Sequence, residues 1–136
     1  MTGIVDELLD HNPHYLEVAM RAARDLGEPE RMLTGFAMFY RTLALGAREC
    51  GSVLPRIAPA TRDAVAALVA EFGEERFVLL ATDMLREENP ELLRMADGFA
   101  ARQHDYLGTM KAFVLLYRML SAQAVTDAVG RATPRG

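Results

Sequence analysis

The sequence lacks several features that would assign it to a class. It has one cysteine in 136 residues, which excludes a disulfide framework and a cysteine-rich metal site within one chain. Its 15 basic residues are outnumbered by 19 acidic ones, so we expect no nucleic-acid partner, because phosphate binding needs a basic surface. No uncharged apolar run approaches the roughly 18 residues of a membrane span, and we therefore expect no membrane partner.

Motifs for catalysis are also missing. There is no glycine-rich phosphate loop and no dinucleotide fingerprint, and Ser52 and Ser121 lie outside any nucleophile-elbow motif. We therefore predict no catalytic residue and no cofactor, and we favour a protein without enzyme activity. The acidic segment 1–7 lacks the basic start of a signal peptide, so we expect a cytoplasmic protein.

Helical periodicity runs along the whole chain, in which Ala, Leu, Met, Arg and Glu dominate. Asn12-Pro13 and Asn89-Pro90 each predict an asparagine N-cap followed by proline at the first helical position. The predicted helices span about 3–11, 13–26, 29–50, 60–72, 74–88 and 90–128, the last being one helix or two with a break near 103–105. The prediction is a single all-α domain, 1–129, formed as a compact bundle of about seven helices, with a frayed tail at 130–136.

An internal repeat is the most informative pattern in the sequence. A shift of 77 residues places 4–50, the first segment, on 81–127, the second segment, without a gap. Twelve positions are then identical, where composition alone gives roughly three or four: Asp6/Asp83, Leu8/Leu85, Asn12/Asn89, Pro13/Pro90, Leu16/Leu93, Ala19/Ala96, Ala23/Ala100, Phe36/Phe113, Tyr40/Tyr117, Arg41/Arg118, Leu43/Leu120 and Ala47/Ala124. The match predicts a duplication whose copies pack about a pseudo-two-fold axis. The alternative is two similar Ala/Leu-rich helices aligned by chance.

The repeated Tyr-Arg pair is the main candidate for a binding site. Two arginines related by the axis, Arg41 and Arg118, could hold an anionic ligand between the two long helices. Tyr40, Tyr117 and Lys111 would supply further polar groups. The alternative is structural: the arginines cap helix ends or pair with acids such as the repeated aspartates Asp6 and Asp83, and the tyrosines belong to the core.

A metal site is a weaker candidate. His11 and His14 flank the first Asn-Pro cap, and Glu88 and Glu91 occupy the corresponding positions in the second segment. A two-fold axis near these caps would bring the four together, and two His with two Glu suit iron, manganese or zinc. The alternative is that they are surface residues around two N-caps. We interpret the single Cys50 as a buried structural thiol.

Three functions remain open. The favoured one is a helical protein–protein interaction, scaffold or adaptor protein, acting as a homodimer or within a larger complex. In it, part of an apolar surface on the long helices stays exposed, formed by Phe36, Met38 and Phe39 or by Phe113, Leu115 and Leu116. The alternatives are a small protein that binds an anionic ligand and a metal-dependent enzyme.

Overall fold

The computed structural model describes residues 4–132, and that range contains seven helices and no strand. The helices are α1 (Ile4–His11), α2 (Pro13–Asp25), α3 (Pro29–Glu49), α4 (Pro59–Phe72), α5 (Glu74–Glu88), α6 (Pro90–Ala101) and α7 (Tyr106–Ala132). The prediction of an all-α fold is confirmed. Its helix boundaries agree with the structure to within one or two residues, apart from the C-terminal end.

Proline and glycine explain most of these boundaries. Helices α2, α3, α4 and α6 begin with proline, whose missing N–H would have no partner in the first turn. The chain turns after α2 at Gly27 and after α4 at Gly73, both with positive φ, which glycine adopts without a Cβ clash.

The last predicted segment is two helices, separated by residues 102–105. Asp105 begins α7 by accepting a 2.9 Å hydrogen bond from the Gly108 N–H at its Oδ1, as expected of an N-cap. Helix α7 then continues through Ala132, past the predicted start of the tail at 130. Residues 133–136 of that predicted tail lie outside the described residues.

Helix α7 lies at the centre of the bundle and packs against α2, α4, α5 and α6, whereas α3 packs against α1, α2 and α6. The two long helices meet through aromatic rings. Phe113 lies 5.0 Å from both Phe36 and Phe39, centroid to centroid, and 5.7 Å from Phe99. Such tilted and edge-on contacts suit the ring quadrupole.

Several predictions about exposure are wrong. Phe36, Phe39, Phe113 and Leu116 are fully buried rather than partly exposed. The three phenylalanine rings pack against one another between the long helices. Cys50 is exposed, since it caps the C-terminus of α3 at the surface.

Phe72 is also half exposed, although it is a large aromatic residue. It lies at the last turn of α4, beside a groove that α4, α5 and α7 leave open.

Candidate functional site

The five residues of the predicted anionic-ligand site have separate environments. The core formed by Phe36, Phe39 and Phe113 lies between the two long helices, where we expected the pocket. Of the five, Arg118 lines a groove beside α4 and α5, and Lys111 lines a different groove, between α2 and α4. Of the remaining three, Tyr40 and Tyr117 are buried, and Arg41 is exposed.

The two repeated tyrosines have different hydroxyl partners. Tyr117 donates a 3.0 Å hydrogen bond to Glu88 Oε1, and burial together with that carboxylate raises the pKa of Tyr117 to about 12. The ring of Tyr40 packs 4.7 Å from that of Tyr15. Burial raises the pKa of Tyr40, while a hydrogen bond from Asn12 and the charge of Arg56 lower it in part. Both tyrosines stay protonated at neutral pH, so neither is poised as a base.

Arg118 has the more distinctive environment of the two repeated arginines. It is half buried and forms no ion pair or hydrogen bond with the side chains and backbone that the structure describes. It borders a groove of about 200 Å³ whose other lining residues are all apolar: Leu68, Phe72, Phe77, Leu80, Ala81 and Met84. An unpaired guanidinium beside an apolar surface can bind an anion that carries an apolar group.

Lys111 lies in a larger groove of about 480 Å³ between α2, α4 and α7. The charges on its rim are largely paired. Lys111 Nζ lies 2.5 Å from Glu74 Oε1, and Arg62 lies 2.8 Å from Glu17 Oε1. The groove therefore offers an apolar floor but little free positive charge for an anion.

The predicted metal ligands are engaged separately. His14 Nδ1 lies 3.7 Å from Glu17, Glu91 pairs with Arg94 at 2.6 Å, and Glu88 accepts the hydrogen bond from Tyr117. His11 is exposed at the end of α1. Among the side chains that the structure describes, no three or more His, Cys, Asp or Glu residues are grouped to hold a metal ion. The metal hypothesis therefore gains no geometric support.

Asn12 has a role that sequence reasoning missed. It precedes α2 as predicted, but its fully buried side chain makes no cap hydrogen bond. Instead its Nδ2 donates to the Pro55 carbonyl at 2.8 Å, and its Oδ1 accepts from the Ile57 N–H at 3.2 Å. Asn12 thus ties the 50–58 connection to the start of α2. Asn89, in contrast, does cap its helix, by accepting from the Leu92 N–H at 3.3 Å.

Gln123 on α7 holds the other end of that connection. Its Oε1 accepts hydrogen bonds from the Ala58 N–H at 2.9 Å and from the Thr61 hydroxyl at 2.5 Å. Its Nε2 donates to Asp127 Oδ1 at 2.8 Å. A side chain of α7 therefore caps the N-terminus of α4 and fixes α4 on α7. Because this cap comes from a distant residue, no local sequence signal could have indicated it.

Because α4 packs on α7, corresponding residues of α3 and α7 differ strongly in their solvent exposure. Six residues on one side of α3 are all exposed, and we call them the open α3 face: Thr34, Met38, Arg41, Thr42, Leu45 and Gly46. The six residues found 77 positions later, on the side of α7 that α4 packs against, are all buried or half buried: Lys111, Leu115, Arg118, Met119, Ala122 and Gln123.

The open α3 face has an apolar centre. Met38 is 51% and Leu45 49% exposed, and Met95 of the neighbouring helix α6 is 37% exposed. The Thr42 hydroxyl lies 3.7 Å from the Met95 sulfur, which makes the two helices continuous at this surface. Met38 is thus exposed as predicted. Large exposed apolar side chains that adjoin one another on a helix pair are typical of interaction sites.

Comparison of the chain with family models, with curated proteins and with solved structures finds no match. Among the described helices, α7 alone is long and apolar enough to cross a membrane, over Tyr106–Gly130, by length and composition. A helix at the centre of a bundle has the same composition, because its neighbours cover it on several sides.

Proposed function

We propose that this protein is a non-catalytic helical interaction protein that forms a homodimer through the open α3 face. The observation that carries the proposal is the exposure of all six residues of this face, where the corresponding residues of α7 are covered by α4. Helix α4 covers this face in α7, and no helix covers the corresponding face in α3. We therefore expect another chain to pack against the open α3 face.

The helix contacts support an origin of both faces by duplication. When α1, α2 and α3 are exchanged with α5, α6 and α7, each contact among these helices has its counterpart: α1 with α2, α1 with α3, α2 with α3, and α3 with α6. The repeated residues Phe36 and Phe113 touch each other, as side chains on a pseudo-two-fold axis would. Helix α4 has no counterpart. The open α3 face is therefore the site that the duplication leaves without a helix.

Sedimentation equilibrium over a range of protein concentrations tests this proposal. The native chain is expected to dimerise, and Met38→Glu and Leu45→Glu are each expected to weaken the dimer at least about tenfold, because each places an unpaired charge in the apolar centre. Leu80→Glu is the matched control: Leu80 is 56% exposed, but on α5. A chain that stays monomeric, or a dimer sensitive only to Leu80→Glu, would contradict the proposal.

A second candidate function is binding of an apolar carboxylate in the groove beside Arg118. The observation that favours it is the half-buried and unpaired guanidinium in an otherwise apolar groove. Calorimetric titration with decanoate is expected to show binding that Arg118→Met abolishes and that Arg41→Met, the exposed counterpart, leaves intact. Equal binding by the native chain and by Arg118→Met would exclude this candidate. The proposals of a cytoplasmic location and of no nucleic-acid or membrane partner rest on composition alone.

A further inference from the structure

We infer that the groove between α2 and α4 binds a protonated alkyl amine, whose alkyl chain lies on α7 and whose ammonium group lies beside Asp25 and Asp105. This groove of about 480 Å³ is the one that Lys111 lines, and we call it the α2–α4 groove. None of the six residues of the open α3 face lines it. Binding of an amine there goes beyond the proposed function and is independent of it.

The size and shape of the α2–α4 groove suit a single alkyl chain. Its volume of about 480 Å³ lies within the range of roughly 300–1,000 Å³ that is usual for small-ligand sites. Its α2 wall runs from Val18 to Leu26, about 12 Å along the helix, which an extended chain of about ten carbons would span. Over that length the volume gives a cross-section of about 40 Å², roughly half that of a helix about 10 Å wide. The groove is therefore too narrow to enclose a partner helix.

The floor of the α2–α4 groove is apolar and belongs to three helices. Its larger side chains are Val18 and Leu26 of α2, Val69 of α4, and Leu115 and Met119 of α7. All of these except Met119 are only partly buried, so water contacts apolar surface along the groove. An alkyl chain that covers this surface removes it from water, and this burial supplies most of the expected affinity.

The three cations that line the α2–α4 groove all have acidic partners. Lys111 Nζ lies 2.5 Å from Glu74 Oε1, and Arg62 Nη1 lies 2.8 Å from Glu17 Oε1. Arg21 is a looser case, with its Nη2 3.9 Å from the same oxygen of Glu17. The groove therefore has no strong site for a carboxylate.

Two carboxylates at one end of the groove have no cationic partner among the described residues. Asp25 is exposed and forms neither an ion pair nor a hydrogen bond there, and Asp105 uses only Oδ1, which accepts from the Gly108 N–H. Asp105 Cγ and Leu26 Cδ2 each lie 2.8 Å from the position that a Cβ of residue 108 would occupy. The glycine thus allows the Asp105 carboxylate to border the apolar floor. An ammonium group at this end meets two free acids at the edge of an apolar surface.

The position of Asp25 in α2 also favours a bound cation. Asp25 is the last residue of α2, where the partial negative charge of the helix end disfavours an acid and favours a cation. Asp25→Asn is therefore expected to raise the Tm of the free protein by roughly 1–3 °C while it weakens amine binding. A residue with a purely structural role would lower the Tm when replaced.

Calorimetric titration with decylamine, which is protonated at neutral pH, measures this binding. Asp25→Asn and Asp105→Asn are each expected to weaken it by about two- to fivefold, and the double variant by about tenfold, because each removes one attractive charge. Asparagine also caps helices, so Asp105→Asn keeps the start of α7. Glu87→Gln is the matched control, since it removes the same charge from an exposed position outside the groove and should leave the affinity unchanged.

A second pair of variants blocks the groove itself. Ala66 is exposed on α4 and lines the groove, so the indole of Ala66→Trp would occupy the groove without disturbing the core. This variant is expected to abolish decylamine binding. Ala67→Trp is its control, because Ala67 is equally exposed and lies outside the lining.

Three results would overturn the assignment. They are equal decylamine binding by the native chain and Ala66→Trp, equal affinity for decylamine and the uncharged decanol, and binding of a lysine-rich helical peptide without binding of decylamine. Met38→Glu, which breaks the proposed dimer, is expected to bind decylamine as the native chain does. Failure of the dimer and failure of the amine site are therefore seen in separate experiments.

Discussion

The two segments of this protein share a residue pattern but use it differently. Asn12 and Asn89 each precede a proline that begins a helix, with nearly the same backbone angles. The side chain of Asn89 caps its own helix, whereas that of Asn12 binds the connection that leads to α4. Helix α4 covers one face of α7, whereas the corresponding face of α3 is open. Residues 51–80, which connect the two segments, therefore produce the structural differences between them.

Truncation of the central aromatic pair, Phe36 and Phe113, should have the largest effect on stability. The loss should be similar for the two segments. Phe36→Ala and Phe113→Ala are each expected to lower the free energy of unfolding by about 3–5 kcal/mol, because both rings are fully buried. Urea denaturation checks this. The double variant should lose less than the sum, since the rings touch each other. Clearly unequal losses would argue that the segments contribute differently to the core.

Replacing the two asparagines one at a time should give clearly different losses of stability in the two segments. Asn12→Ala is expected to cost about 2–4 kcal/mol, because the Pro55 carbonyl and the buried Ile57 N–H lose their side-chain partner. Asn89→Ala should cost only about 1 kcal/mol, the usual value of an N-cap. Denaturation of the two variants under one condition decides the point. Similar losses would mean that Asn12 acts only as a cap.

Alanine substitutions at Gln123 and at its counterpart Gly46 should change the stability of the protein in opposite directions. Gln123→Ala is expected to destabilise the protein by about 1–3 kcal/mol, since the Ala58 N–H and the Thr61 hydroxyl lose their acceptor. Gly46→Ala should stabilise it by about 0.5–1 kcal/mol, because Gly46 is helical and nothing lies near an added Cβ. Thermal denaturation at low protein concentration measures both. A loss at Gly46 comparable to that at Gln123 would show that position 46 also has a structural contact.

The smallest expected effect concerns the two repeated tyrosines at high pH. The pKa of Tyr117 is raised from 10.0 to about 12. The native state therefore holds this proton more tightly than the unfolded state, and its contribution, complete below pH 10, is lost as the pH rises towards 12. Tyr117→Phe should reduce the loss of stability over that range more than the matched variant Tyr40→Phe. Equal reductions in denaturation experiments at several pH values would contradict the stated role of Glu88.

Whether a feature of the structure can be predicted from the sequence depends on how far apart in the chain the interacting residues lie. Helix boundaries at Pro13, Pro29 and Pro90 and the cap at Asp105 depend on residues within one turn, so local patterns are sufficient. The grouping of Tyr40, Arg41, Lys111, Tyr117 and Arg118 into one site depends on how two long helices face each other. The repeat indicated their equivalence, but it did not indicate that phenylalanine rings fill the space between them.

The sequence by itself determined the helical class, the positions of the helix ends and the repeated positions, because proline, glycine and apolar spacing act locally. Only the tertiary structure decided which of two equivalent faces is covered. That choice follows from α4, which Gln123 fixes on α7 by hydrogen bonds between residues more than 60 positions apart. No short pattern encodes such a contact, and the open α3 face is its consequence.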